Sequence, residues 1–163
     1  MKHMKQPLLR LLAAVVIALA APHAALAADT APPPAAVPDK LAEARTLIKA
    51  KKWSEAVAEL QRINDPASAD WNNLMGYSIR RGSSPDLDAS ERYYNEALRI
   101  NPNHRGALEY SGQLYLMKGD LGSAEKRLAV LDKACTFGCE EYTDLKKSIE
   151  RFKAAGNKYV AYQ

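Results

Sequence analysis

Apolar residues recur along most of the chain at the spacing of α-helices. From Asp39 onward they are separated by three or four positions, as Leu41, Ala44 and Ile48 illustrate, which places them on one face of a helix. No segment shows the sustained alternation of apolar and polar residues that a half-buried strand requires. Asp39 can cap a helix that starts at Lys40. The pattern therefore predicts an all-α folded region that begins near residue 39.

A longer pattern groups the predicted helices into three consecutive units, at about residues 37–68, 69–104 and 105–138. Small residues occupy the positions where two helices nearly touch, and larger apolar residues surround them. The residues that recur in phase are Gly76, Gly112, Ala56 and Ala124, and Pro102 closes the second unit. This arrangement resembles the tetratricopeptide repeat, which is about 34 residues long and runs W-x2-L-G-x2-Y, then A-x3-F, then P. Trp71 lies one place off the aromatic position, and Thr136 stands where the repeat normally has proline.

The resemblance implies a right-handed superhelical solenoid of about three helix-turn-helix units, in a repeat domain at residues 39–154. Because each unit leaves one apolar face open, a solenoid needs a terminal cap with one polar face. Residues 140–154 are predicted to be that capping helix, and Gly156-Asn157 to stop it. Its apolar stripe comprises Tyr142, Leu145, Ile149 and Phe152. Residues 155–163 form a tail with no predicted element.

The resemblance also implies a concave groove lined mainly by the first helix of each unit. By their position in the repeat, the candidates for the groove surface are Arg45, Lys49, Asn73, Tyr77, Arg80, Arg81, Tyr110 and Gln113, with Glu109 among them as an acidic member. Arginine and tyrosine are frequent anchors of protein interfaces. The predicted partner is therefore another protein or peptide, either an acidic extended segment or a chain end that bears a free C-terminal carboxylate. The alternative is an ordinary solvated helix surface. His104, in a connector, is expected to be a plain exposed residue.

The N-terminus has a different composition from the repeats. Residues 1–27 combine three basic residues, an apolar run over residues 11–20 and an Ala25-Leu26-Ala27 cleavage motif, which are typical of a secretory signal peptide. The run is short for a membrane anchor. Residues 28–38 are rich in alanine and proline and predict a disordered linker. We expect a periplasmic protein cleaved after about Ala27, and a membrane association only if the signal is uncleaved.

Removal of the signal changes the charge of the chain. The net charge of +4 rests on 23 lysines and arginines against 19 acidic residues. The signal takes Lys2, Lys5 and Arg10 with it, so the remainder has 20 basic residues against 19 acidic ones, a net charge of +1. A nucleic-acid partner is therefore not predicted. No nucleotide-binding, hydrolase or metalloprotease motif is present, so we expect no enzymatic activity and no cofactor.

The two cysteines of the chain, Cys135 and Cys139, lie at the predicted corner between the last unit and the cap. An oxidising compartment favours a disulfide, and closing a loop of five residues stabilises the fold by about 2 kcal/mol. The alternatives are a redox pair, although C-x3-C without a strand is not thioredoxin-like, and a metal site, although zinc needs four ligands and only copper(I) accepts two thiolates. Gly138 is expected to take a positive φ, and Phe137 to turn inward as an apolar plug.

The sequence thus predicts a non-enzymatic protein-binding scaffold or assembly adaptor of the periplasm. Its partner segment would lie in the groove of the repeats. The alternative function is a redox or metal-handling accessory that uses Cys135 and Cys139.

Overall fold

The computed structural model describes residues 39–160, and within that range the chain forms seven helices and no strand. The predicted signal peptide, the predicted linker and residues 161–163 of the tail lie outside the described residues. The helices are α1 (Ala42–Lys49), α2 (Trp53–Ile63), α3 (Ala69–Arg81), α4 (Leu87–Ile100), α5 (Arg105–Met117), α6 (Leu121–Ala134) and α7 (Glu140–Ala154). The predicted all-α fold class is confirmed. None of the described helices is both long and apolar enough to cross a membrane.

The helices pack in the order in which they occur along the chain. The most extensive contacts join α3 to α4, α5 to α6 and α5 to α7; α1 packs against α2, and α7 also packs against α6. In the described range, no helix contacts another that is more than two places away in the chain. Contacts restricted to near neighbours are the property that makes a repeat protein a solenoid. The handedness of the superhelix stays a prediction.

Glycine is required where the helices approach most closely. A Cβ atom on Gly76 would lie 2.9 Å from Cε1 of Tyr94 and 3.0 Å from the carbonyl oxygen of Ser90, so α3 meets α4 at this point. A Cβ atom on Gly112 would lie 2.5 Å from Cδ2 of Leu145, so α5 meets α7 there. The distances to Tyr94 and to Leu145 are both shorter than real side-chain carbons show. The recurring small residues therefore mark helix crossings, as the repeat pattern predicts.

Short polar side chains begin most of the later helices. Ser68 accepts a hydrogen bond from the Trp71 backbone N–H at 3.2 Å, and Asp86 and Asp120 do the same for α4 and α6. Such caps satisfy backbone donors that lack a partner in the first turn. At the first helix the prediction is wrong by two residues. Asp39 accepts from the Leu41 backbone N–H at 3.0 Å, within a turn, and α1 begins only at Ala42.

The corner before α7 contains the disulfide between Cys135 and Cys139, whose Cα atoms lie 5.6 Å apart. Gly138 has a φ of +82°, and its N–H donates to the carbonyl of Cys135 at 2.9 Å. The expectation that Phe137 turns inward is wrong, because this side chain is fully exposed. The disulfide and the backbone hydrogen bond both close the base of the turn, so the residues at its tip project into solvent.

Candidate functional site

Four of the predicted groove residues form one contiguous cluster between α3 and α5. The ring centroids of Tyr77 and Tyr110 lie 4.5 Å apart. The guanidinium carbon of Arg80 lies 5.7 Å from the centroid of each ring, within the range of a cation–π interaction. Arg80 Nη2 also donates to Gln113 Oε1 at 3.1 Å. Tyr77, Arg80, Tyr110 and Gln113 are named the arginine–tyrosine cluster below.

Two further residues extend this cluster toward α2. The ring of Trp53 meets that of Tyr77 edge-on, with 5.8 Å between centroids, and the guanidinium carbon of Arg81 lies 5.6 Å from the Trp53 ring. Trp53 is the first residue of α2. The repeat pattern does not predict it for the groove, because the resemblance implies a groove lined mainly by the first helix of each unit. Its place directly after the turn is the signal that could have found it.

The arginine–tyrosine cluster retains polar groups that the described residues do not satisfy. Arg80 is only 5% exposed, and its Nε has no hydrogen-bond partner in the described part of the chain. Across residues 39–160, neither Arg80 nor Arg81 forms a salt bridge. The buried Asn73 on α3 likewise has an unpartnered Oδ1. A buried cation without a counter-ion is costly, so this surface is suited to receive an anionic or hydrogen-bonding ligand.

The carboxyl group of Glu109 does not neutralise Arg80 at neutral pH. It is buried and accepts a hydrogen bond from Gln113 Nε2 at 2.8 Å. Burial, together with the acidic residues of α7 and against the opposing charge of Arg80, raises the pKa of Glu109 to about 8. Those acidic residues are Asp144, Glu141 and Glu140. Because Glu109 keeps its proton at neutral pH, its carboxyl group does not supply a counter-charge for Arg80.

The remaining predicted groove residues lie outside the cluster. Arg45, on α1, forms salt bridges with Asp39 at 2.9 Å and Asp70 at 3.0 Å, so its charge is already matched. Lys49 is exposed at the end of α1. Asn73 is buried close to Gly106 of α5, where its amide nitrogen would be 3.1 Å from an added Cβ. The groove set therefore separates into the cluster on α3 and α5, the buried Asn73 on α3, and a peripheral part on α1.

His104 has a structural role that the sequence did not predict. Its side chain is 12% exposed, and its Nδ1 accepts a hydrogen bond from the Ala107 backbone N–H at 3.1 Å, at the start of α5. Because Nδ1 is the acceptor, Nε2 is the protonated nitrogen, and it lies 2.8 Å from Oδ1 of Asp70. The expectation of a plain exposed residue is wrong, since His104 caps α5 and joins it to α3.

A small cavity adjoins the cluster at the C-terminal end of α3. It has a volume of about 30 Å³, which is room for one or two water molecules. Three arginines, Arg80, Arg81 and Arg151, line it together with Gln113, Leu116, Ser148, Phe152, Tyr159 and Val160. Arg151 Nη2 donates to Ser148 Oγ at 2.9 Å. This cavity is named the arginine end below, and sequence reasoning missed the contributions of α7 and the tail to it.

Comparison with known proteins adds information on the fold. No protein-family model matches the chain, and no curated protein matches it. A similar solved structure is the Yersinia enterocolitica type III secretion chaperone SycD in complex with a peptide of the translocator YopD, with a TM-score of 0.57 and 15% identity. The similarity covers 71% of this chain and 88% of the SycD chain. The chain has a tetratricopeptide-like helical-repeat fold. At this identity the likeness supports no narrower family.

The cysteine corner of this helical-repeat fold lies apart from the cluster in the chain, between α6 and α7. Both sulfur atoms belong to the disulfide. Over the described residues, no group of three histidine, cysteine or acidic side chains is arranged to hold a metal ion. The site therefore offers a covalent brace at the start of α7, and its use in redox chemistry stays an untested hypothesis.

Proposed function

We propose that this chain is a non-enzymatic scaffold or assembly adaptor that binds a polypeptide segment on the arginine–tyrosine cluster. The observation that supports this most directly is Arg80, a buried cation held by two tyrosine rings and a glutamine, without a salt bridge among residues 39–160. Tyrosine and arginine in a partly enclosed surface are the typical composition of interface anchors. SycD, which shares the fold, was crystallised with a peptide.

The proposed ligand is an extended segment that carries an acidic group. A carboxylate can accept charge-assisted hydrogen bonds from an arginine, and Arg80 and Arg81 have no salt bridge in the described part of the chain. Gln113 and Asn73 add amide groups of the kind that pair with a peptide backbone. The side chains of Tyr77 and Tyr110 are half-buried, so part of each ring remains available for contact.

The proposed location is the periplasm. The support comes from two parts of the sequence, the signal-like residues 1–27 and the cysteine pair. Disulfides persist in oxidising compartments and are rare in the cytosol, and Cys135 and Cys139 form a disulfide. The alternative function, a redox or metal-handling accessory, has no supporting observation beyond that pair, and we do not propose it.

The test is affinity capture from a periplasmic extract with three forms of the chain after residue 27. These are the native form, a Tyr77→Ala/Arg80→Ala/Arg81→Ala variant, and an Arg99→Ala/Lys133→Ala control. The control removes two exposed positive charges from α4 and α6, which do not form the cluster. We expect a protein that the native and control forms retain and the triple variant loses, while all three unfold at similar temperatures. If all three retain the same proteins, the cluster does not bind them.

A further inference from the structure

The chain's own C-terminal segment contributes one wall of the arginine end. Tyr159 and Val160, which follow α7, line the same cavity as Arg80 and Arg81 of α3 and Gln113 of α5. These two tail residues are 41% and 55% exposed. They are therefore partly covered, although neither belongs to a helix. A segment without secondary structure is thus placed beside the surface proposed to bind a partner.

The path of this segment is determined by the way α7 ends. Gly156 and Asn157 both have a positive φ, of +70° and +59°. The Asn157 N–H donates to the carbonyl of Phe152 at 2.9 Å, and the Gly156 N–H donates to that of Lys153 at 3.0 Å. This pair of bonds is the Schellman motif, which ends a helix and redirects the chain. The position of the tail is consequently a property of a defined helix stop, and the following residues are directed to the arginine end.

The tail contributes an aromatic and an aliphatic side chain to the arginine end but no negative charge. Tyr159 supplies an aromatic ring of the kind that arginines contact, and Val160 supplies an apolar side chain. However, the neighbouring residue is Lys158, a further positive charge beside a cavity whose Arg80 and Arg81 form no salt bridge among residues 39–160. A segment with the same aromatic–aliphatic pair and an acidic residue in place of the lysine would supply the same apolar side chains together with a negative charge for the arginines.

We infer that residues 157–160 are a resident occupant of the arginine end, which a partner displaces with an acidic residue followed by an aromatic–aliphatic pair. This inference rests on the proposed function, because it defines the partner of the same surface. The tail then competes with the partner for the arginine end. Only the molecules in which the tail is not seated can bind the partner, so the apparent affinity falls as the seated fraction rises. The charge mismatch at Lys158 keeps that competition weak enough for an acidic segment to win.

The binding experiment uses two fluorescent hexapeptides, AGNKYV, which copies residues 155–160, and AGNEYV, which differs by one residue. Both are acetylated and amidated, with the label on the N-terminal side, so that their ends add no charge. Binding is measured by anisotropy to the full chain and to the full chain with Tyr159→Ala/Val160→Ala. We expect the variant to bind AGNEYV at least about threefold more tightly than the native chain, and AGNEYV to exceed AGNKYV by about fivefold, which is the upper range for one exposed ion pair. Equal binding of both peptides by both forms would overturn the inference.

A charge reversal separates a specific site from general attraction. Arg81 is exposed, so Arg81→Glu leaves the buried Arg80 intact and should not unfold the chain. In the Tyr159→Ala/Val160→Ala background, we expect this substitution to reverse the preference, so that AGNKYV binds more tightly than AGNEYV. Lys133→Glu, on α6, is the matched control and should leave the preference unchanged. If the control shifts the preference as much as Arg81→Glu does, the peptides are not binding at the arginine end.

A second measurement requires no peptide. Lys158 is exposed and outside any helix, so trypsin can cleave after it, and seating of the adjacent Tyr159 and Val160 should slow that cut, which mass spectrometry quantifies. We expect Arg81→Glu to slow this cut at least about twofold relative to Lys133→Glu, because a negative charge at position 81 attracts Lys158, and Tyr159→Ala/Val160→Ala to accelerate it. Rates that are the same in all forms would show that the tail is not seated. Because neither measurement involves a partner, a failed capture experiment and an unseated tail are distinguishable results.

Discussion

Protonation of Glu109 should make the stability of this chain depend on pH in a direction unusual for a carboxylic acid. Most carboxyl groups with shifted values in this structure, such as Asp120, have a lowered pKa because their charged form is hydrogen-bonded. Burial raises the pKa of Glu109 to about 8 from an ordinary value of 4.5. Substitution by glutamine preserves the shape and the acceptor for Gln113 Nε2 but removes the titration. The prediction is that Glu109→Gln stabilises the chain at high pH and matters little at low pH.

The direction of this pH dependence follows from the number of protons that the folded and unfolded chains bind. Between pH 4.5 and about 8 the unfolded chain has lost the Glu109 proton while the folded chain keeps it. The free energy of unfolding therefore falls as the pH rises through this window. One pKa unit corresponds to about 1.4 kcal/mol. Between pH 5 and pH 8 the native chain should lose on the order of 3 kcal/mol relative to the glutamine variant.

The assay is urea unfolding followed by circular dichroism at several pH values from 5 to 8. The control is Glu150→Gln, which removes a carboxyl group from an exposed position of α7. We expect the native and control curves of stability against pH to fall together, and the Glu109→Gln curve to be flatter. Parallel curves for all three forms would show that Glu109 titrates alike in the folded and unfolded chains, contrary to the prediction.

Three further predictions concern packing and connections. Gly76→Ala should destabilise the chain by about 1–3 kcal/mol through overpacking. Gly122→Ala, where no close contact would form, should be neutral or stabilising. A similar melting temperature for the two variants would contradict the close approach of α3 and α4. His104→Ala should cost about 1 kcal/mol as a lost cap, measured by denaturant unfolding, and an unchanged midpoint would exclude that role. Cys135→Ser/Cys139→Ser should cost about 2 kcal/mol, and thiol titration of the native chain should find no free thiol.

The fold was predictable because its signals are local in the sequence. Apolar residues three and four apart face the same side of a helix, so the periodicity alone indicated an all-α chain. Gly76 and Gly112 predicted helix crossings, and in the structure a Cβ atom at either position would lie too close to the neighbouring helix. The failures are also local. The apolar character of Phe137 predicted a side chain that turns inward. The disulfide and the hydrogen bond at the base of its turn instead hold it outward.

The amino-acid pattern alone was enough to predict the helices, their grouping in units and the residues from which a groove could be built. Which of those residues act together depends on the packing of the helices. Arg80 and Gln113 are 33 positions apart in the chain yet hydrogen-bonded, while Arg45 is already paired with acidic residues. Tyr159 reaches the arginine end because of a helix stop whose direction no periodicity encodes. The physical reason is that periodicity reports the face of one helix, whereas a binding surface depends on distances between side chains of several helices.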